Sequence, residues 1–153
     1  MTGKFIYLHG FASSPNSNKA KAFKKKFEKN GLDLIIPELE NGDFKRMTLS
    51  SQMEVVEYYL DSPGNESCAL IGSSMGGYLA ALAGQCRSDI KALYLMAPAF
   101  EFLRRWSVRI EEPSSSGKTI PSSILVYHYG CDKDIQFETK IFEDAKKWEQ
   151  IRF

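Results

Sequence analysis

Short apolar runs alternate with helical stripes along the first two-thirds of the chain. Lys4–Leu8 (KFIYL) and Leu32–Ile36 (LDLII, closed by Pro37) read as strands, as do Cys68–Gly72 and Ala92–Met96 (ALYLM, stopped by Pro98). Between them, residues 17–30 place Ala20, Phe23 and Phe27 on one face of a lysine-rich helix. Leu49, Met53, Val56 and Leu60 repeat at helical spacing, and Gly77–Gln85 reads as a helix of small residues. Strands alternating with helices predict a mostly parallel sheet covered on both faces, a three-layer α/β architecture. After Pro98 the rhythm loosens. FEFLRRW predicts a short amphipathic helix, EEPSSSGKTIPSS a polar loop, and Ile124–Tyr129 (ILVYHY) a strand. Phe137, Ile141, Phe142, Ala145 and Trp148 trace a helical stripe, and the last three residues, IRF, would begin another element.

A length of 153 residues fits one domain, and 43% hydrophobic content supports a packed core. Twenty basic residues against 19 acidic ones leave a net charge of +1, too little to gather nucleic acid or an anionic membrane. The six lysines of the first helix (Lys19, Lys21, Lys24, Lys25, Lys26 and Lys29) read as a solvated face, since no aromatic platform accompanies them. Cys68, Cys86 and Cys131 are an odd number without C-x-x-C spacing, so no disulfide framework, metal or cofactor is expected. Ser67–Cys86 holds no charge for 20 positions, about a membrane span, yet its glycines and serines mark a buried strand–turn–helix instead. The apolar run at the N-terminus stops at His9, too early for a signal peptide. A soluble, cytoplasmic protein is therefore expected.

The chemistry is concentrated in Gly72-Ser73-Ser74-Met75-Gly76, which fits G-x-S-x-G with Ser74 at the nucleophile position. A serine on a tight strand-to-helix turn needs small neighbours two residues to either side, because its own backbone is strained. The turn lifts the hydroxyl clear of the sheet and sets the N–H of Met75 at a helix N-terminus, where a developing oxyanion is stabilised. The pattern is short enough to arise by chance, but its context is apt. The strand CALIG runs straight into it and GGYLAALAG follows as a helix. The strand KFIYL likewise runs into His9-Gly10-Phe11, where the Phe11 N–H would be the second oxyanion donor and Gly10 allows close approach. Both segments fall at C-terminal strand ends, where open α/β sheets bind ligands. His9 is better suited to ordering this loop by hydrogen bonding than to serving as a base, and His128 lies within a strand-like run. Gly117-Lys118-Thr119 looks like the end of a phosphate loop, but Glu112 stands where that loop needs glycine and Pro121 opposes the following helix.

The blocks YLHGFASSPNSNKA, LIGSSMGGYLAAL and LMAPAF resemble the small YqiA-like esterases of the α/β-hydrolase superfamily over nearly the whole chain. The resemblance implies an α/β-hydrolase fold whose chain begins directly at the strand carrying the oxyanion loop. It also implies a Ser–His–Asp esterase acting on a small-molecule ester, with Ser74 as nucleophile and Phe11 and Met75 as oxyanion donors. In such folds the acid and then the histidine follow the nucleophile. Here the only histidine after Ser74 is His128, which precedes most acidic candidates. Position alone nominates Asp132 as the acid, just past ILVYHY, with residues 99–150 then holding an acid-bearing strand and helix. The resemblance favours another alignment. Some relatives carry a YHYG segment and an F-x-x-D-A helix in a cap, matched by Tyr127–Gly130 and Phe142–Ala145. On that alignment residues 99–150 are a cap, and the acid and histidine lie beyond Phe153. Either way the chain reads as a single, C-terminally incomplete hydrolase domain that lacks its late histidine. Two functions stay open: an impaired serine ester hydrolase, or a catalytically silent binding module of the same fold. The oligomeric state is not legible.

Overall fold

The computed structural model describes residues 3–63 and 67–148; the element expected at IRF lies outside them. Three parallel strands form the central sheet: β1 (Lys4–Leu8), β2 (Cys68–Ser73) and β3 (Ile90–Met96), in the order β1-β2-β3. The register runs from Lys4 opposite Cys68 to Leu8 opposite Gly72, and on to Ser73 opposite Met96. The expected strand at 32–36 narrows to a single parallel bridge of Ile35 with Ile6. Two backbone hydrogen bonds, Tyr7 N–H to Ile35 O and Ile35 N–H to Phe5 O, hold it beside β1. Pro37 has no N–H to carry the ladder further.

One face of the sheet is covered by α1 (Asn18–Lys29). The Ser17 hydroxyl caps its first turn by accepting from Ala20 N–H at 3.2 Å. Phe27 meets Phe5 edge-on and Phe23 stacks on Tyr7, so two aromatic rungs fix the helix to β1. Most of its lysines face solvent. Lys24 instead donates to Asp33 and to the Leu34 carbonyl, and Lys19 reaches Ser73 Oγ at 2.8 Å.

The opposite face carries α2 (Leu49–Leu60) and α3 (Met75–Cys86). Thr48 and Ser51 close a reciprocal cap on α2, whose buried stripe is Leu49, Met53, Val56 and Leu60. In α3, which has no charged residue, every position from Met75 to Ala83 is buried. The Arg87 guanidinium beyond α3 ties Glu57 and Asp61 of α2's end to Asp89. β3 is the outer strand of the sheet, with Leu93 and Tyr94 exposed.

Beyond Pro98 the chain leaves the sheet. α4 (Phe102–Arg109) forms where FEFLRRW predicts a helix. The expected polar loop contains a small antiparallel hairpin, β4 (Glu112–Ser114) with β5 (Gly117–Thr119), turned by Gly117 at φ 125°. β6 (Ser123–His128) pairs antiparallel with β7 (Lys133–Glu138), and with no strand of the central sheet. β7 was not legible as a strand, and Phe137, read as the first rung of a helix, belongs to it. The helix itself, α5 (Lys140–Ala145), starts later and ends in a 3-10 turn over Lys146–Trp148. The Asp144 carboxylate accepts from the N–H and the hydroxyl of Ser50, both at 2.7 Å, and so caps α2 from outside.

Candidate active site

The sheet ends in three strained turns. Ala12 after β1, Ser74 after β2 and Ala97 after β3 have φ of 53°, 55° and 45°. Left-handed backbone at a residue with a Cβ costs on the order of 1–3 kcal/mol, and such strain gathers at functional sites. Of the five such residues described, these three lie at the C-terminal edge of one parallel sheet, while Asn41 and Asp132 lie in other turns.

Ser74 is exposed although Ile71 to Ser73 and Met75 onward are buried. Its backbone is held on both sides: its N–H donates to Met96 O at 3.0 Å, and its carbonyl accepts from Tyr78 and Ala99 N–H, both at 3.1 Å. Two glycines make the turn sterically feasible. A Cβ on Gly76 would lie 2.1 Å from the Leu8 carbonyl oxygen, and one on Gly72 would lie 2.4 Å from the Gly76 oxygen. The start of α3 therefore packs directly on the end of β1. Met75, its first residue, is fully buried, and the helix's N-terminal end lies next to the exposed hydroxyl.

The loop after β1 approaches the same hydroxyl. A Cβ on Gly10 would sit 3.5 Å from Ser74 Cβ and 4.0 Å from its Oγ. Among the described residues the Phe11 N–H has no acceptor, while the Phe11 ring packs against Phe44, Phe102, Trp106 and Phe137. The structure thus brings together Ser74, Gly72, Gly76, Met75, Gly10 and Phe11.

The histidines are placed differently. His9 is buried, with Nδ1 3.0 Å from Gly10 O and Nε2 accepting from Leu39 N–H at 3.3 Å. Burial lowers its pKa, partly offset by the Gly10 bond and by Glu38, so the ring is neutral and spans two loops. His128 is equally buried; its Nδ1 accepts from Cys131 N–H at 3.1 Å, which leaves Nε2 to donate to Glu40 at 2.6 Å. Desolvation pushes the Glu40 carboxyl upward against the opposing pull of His128. Both nitrogens of both rings are therefore occupied. Asp132 is exposed in the β6–β7 turn, at φ 55°, where its carboxylate accepts from the Tyr127 hydroxyl. No part of that hairpin extends the parallel sheet.

Three contacts are not legible in the sequence: Glu40 with His128, Lys19 with Ser73, and the Ala99 N–H on the Ser74 carbonyl. Each joins residues too distant in sequence for spacing to reveal. Among the described residues no three His, Cys, Asp or Glu side chains gather into a metal-ligating group, and no helix is long and apolar enough to cross a membrane.

Residues 4–147 match the family described as Uncharacterised protein family UPF0227. The chain belongs to that family. It is the YqiA-like group that the three motif blocks resemble. Solved structures add the fold of this UPF0227 member. Est1E from Butyrivibrio proteoclasticus, solved with ferulic acid bound, superposes with a TM-score of 0.73 at 20% identity over 98% of this chain and 61% of its own. Mouse alpha/beta hydrolase domain-containing protein 10 gives 0.65 at 22% identity over 96% of this chain and 62% of its own. A putative hydrolase from Agrobacterium vitis gives 0.67 at 22% identity over 95% and 61%. The fold is that of the α/β hydrolases, and the chain spans 61–62% of the length of these structures.

Proposed function

We propose that this UPF0227 chain carries the nucleophile and oxyanion half of a serine hydrolase for small carboxylic esters. The observation that carries the reading is Ser74: an exposed hydroxyl on a residue at φ 55°, between a buried strand and a buried helix. Ser74 Oγ attacks the ester carbonyl, and the carbonyl oxygen takes up the negative charge and accepts from the Phe11 and Met75 N–H groups. Collapse expels the alcohol and leaves an acyl group on Ser74, which water then removes. A base must take the Ser74 proton. Both nitrogens of His9 and of His128 are engaged, so neither histidine is that base, and it is a group outside the described residues. Residues 99–148 act as a cap, and Asp132, bonded to Tyr127 in a hairpin turn, takes no part in the triad.

The same occupied histidines favour a second reading, a hydrolase-fold module that binds without turnover. Hydrolysis of p-nitrophenyl butyrate by the wild type and Ser74→Ala, with and without added imidazole, separates the two. A hydrolase lacking only its base gives slow turnover that imidazole raises in the wild type and not in the variant. Equal rates in both proteins at every imidazole concentration, with both folded, would leave the binding module.

A further inference from the structure

Next to the Ser74 turn lies a cavity of about 530 Å³ whose wall includes Ala99, Glu101, Phe102, Arg105, Trp106 and Arg109. Ala99 is the residue whose N–H holds the Ser74 carbonyl, so one end of the cavity abuts the nucleophile turn. Phe102 and Trp106 pack on the Phe11 ring, with centroids 5.8 and 5.1 Å away, so the same wall also touches the oxyanion loop.

The rest of the wall follows from helical spacing in α4. Leu103 faces the core, Phe102 and Trp106 turn from core to cavity, and Arg109 and Arg105 continue the rotation to the rim. The wall is therefore aromatic where it backs onto the Phe11 ring and cationic at its outer end. The single lining carboxylate, Glu101, is already shared by Arg104 and by Arg105 Nε at 3.6 Å. Arg109 has no carboxylate partner among the described residues. Phe102 and Arg109 stand two helical turns apart, about 10 Å along the axis.

From this gradient we propose that the cavity binds substrates with an apolar body beside the ester carbon and an anionic tail at the far end, held by Arg109 and the free donors of Arg105. A guanidinium takes a carboxylate or phosphate through paired N–H donors, and the apolar wall supplies the contact area for the body. The proposal depends on the assignment of Ser74 only for which end of the ligand reacts.

The test is equilibrium binding, which requires no turnover. Titrate 4-phenylbutyrate, 3-phenylpropyl phosphate and the neutral 4-phenylbutyramide at low salt, following the indole resonance of Trp106. The expected result is at least one anion bound about tenfold more tightly than the amide, with the ratio falling to about one in Arg105→Gln/Arg109→Gln and the amide's own affinity unchanged. The stronger anion identifies the tail. Equal affinities, a preference that survives in the double variant, or no response of Trp106 to any of the three would each overturn the proposal. Ser74→Ala should bind all three as the wild type does. A chain that discriminates these ligands yet never turns over an ester would retain this site and lose the hydrolase reading.

Discussion

Around Ser74 the chain packs backbone on backbone. Gly76 lies so close to the Leu8 carbonyl that a Cβ would sit 2.1 Å from it, and three parallel strands hold the approach in register. Beyond Pro98 the contacts are ring on ring and charge on dipole. Trp106 stacks on Phe137 at 5.9 Å and meets Phe142 edge-on, and Asp144 reaches across to the first turn of α2. Backbone packing fixes atoms to a fraction of an ångström, as the proposed attack by Ser74 beside two amides would require. Aromatic packing tolerates exchange of shape, which would suit the proposed ligand-binding wall. Phe11 belongs to both regions: it follows Gly10, whose position lies against Ser74, and its ring is the hub of the outer cluster.

The contrast can be broken at either end. Gly76→Ala should have the largest effect, at least about 4 kcal/mol, because two backbones cannot separate to admit a methyl group. Against a typical total of about 5–15 kcal/mol, little folded protein should remain in a thermal or urea unfolding experiment. Phe137→Ala removes a fully buried ring from the outer cluster and should cost about 3–4 kcal/mol. If the two regions are distinct, amide exchange will quicken in β6, β7 and α4 while β1 and β2 stay protected. Uniform quickening would show one cooperative unit.

Asp144→Ala should cost about 1–3 kcal/mol by leaving the Ser50 N–H without its acceptor. Burial raises the Asp144 pKa, but Lys147 and Ser50 outweigh that, and the net shift is downward. The smallest effect concerns pH. Burial depresses the His9 pKa below its ordinary 6.5, so the folded chain binds fewer protons there than the unfolded chain. The stability this contributes is complete above about pH 6.5 and is lost as pH falls from there toward the folded value. Glu40, shifted upward by burial, works in the opposite direction at lower pH. The melting temperature of the wild type should therefore fall more steeply between about pH 6.5 and 5 than that of His9→Gln.

The first region was legible because its physics is local. KFIYL and ALYLM are apolar runs closed by punctuation, and Leu49–Leu60 shows its period and its cap in consecutive residues. Even there, Leu32–Ile36 contributes one bridge where a strand was expected, since Pro37 cuts the ladder short. The second region was harder. Phe137 and Ile141 stand at helical spacing, yet they straddle the end of β7 and the start of α5, and both are buried by contacts from distant segments. Spacing gave no sign that Glu40 would meet His128 across 88 positions, or that Asp144 would cap a helix 94 positions earlier. Ser74 and its glycines were legible for the opposite reason. A strained turn that admits only small neighbours writes its requirement into five consecutive residues.

The most direct test of the central assignment is covalent labelling by a fluorophosphonate, mapped by mass spectrometry, with Ser74→Ala as control and imidazole as an added base. A single adduct on Ser74 is expected, absent from the variant and formed at least about tenfold faster with imidazole. A folded chain that takes no label under either condition, or takes it at another residue, would contradict Ser74 as the nucleophile.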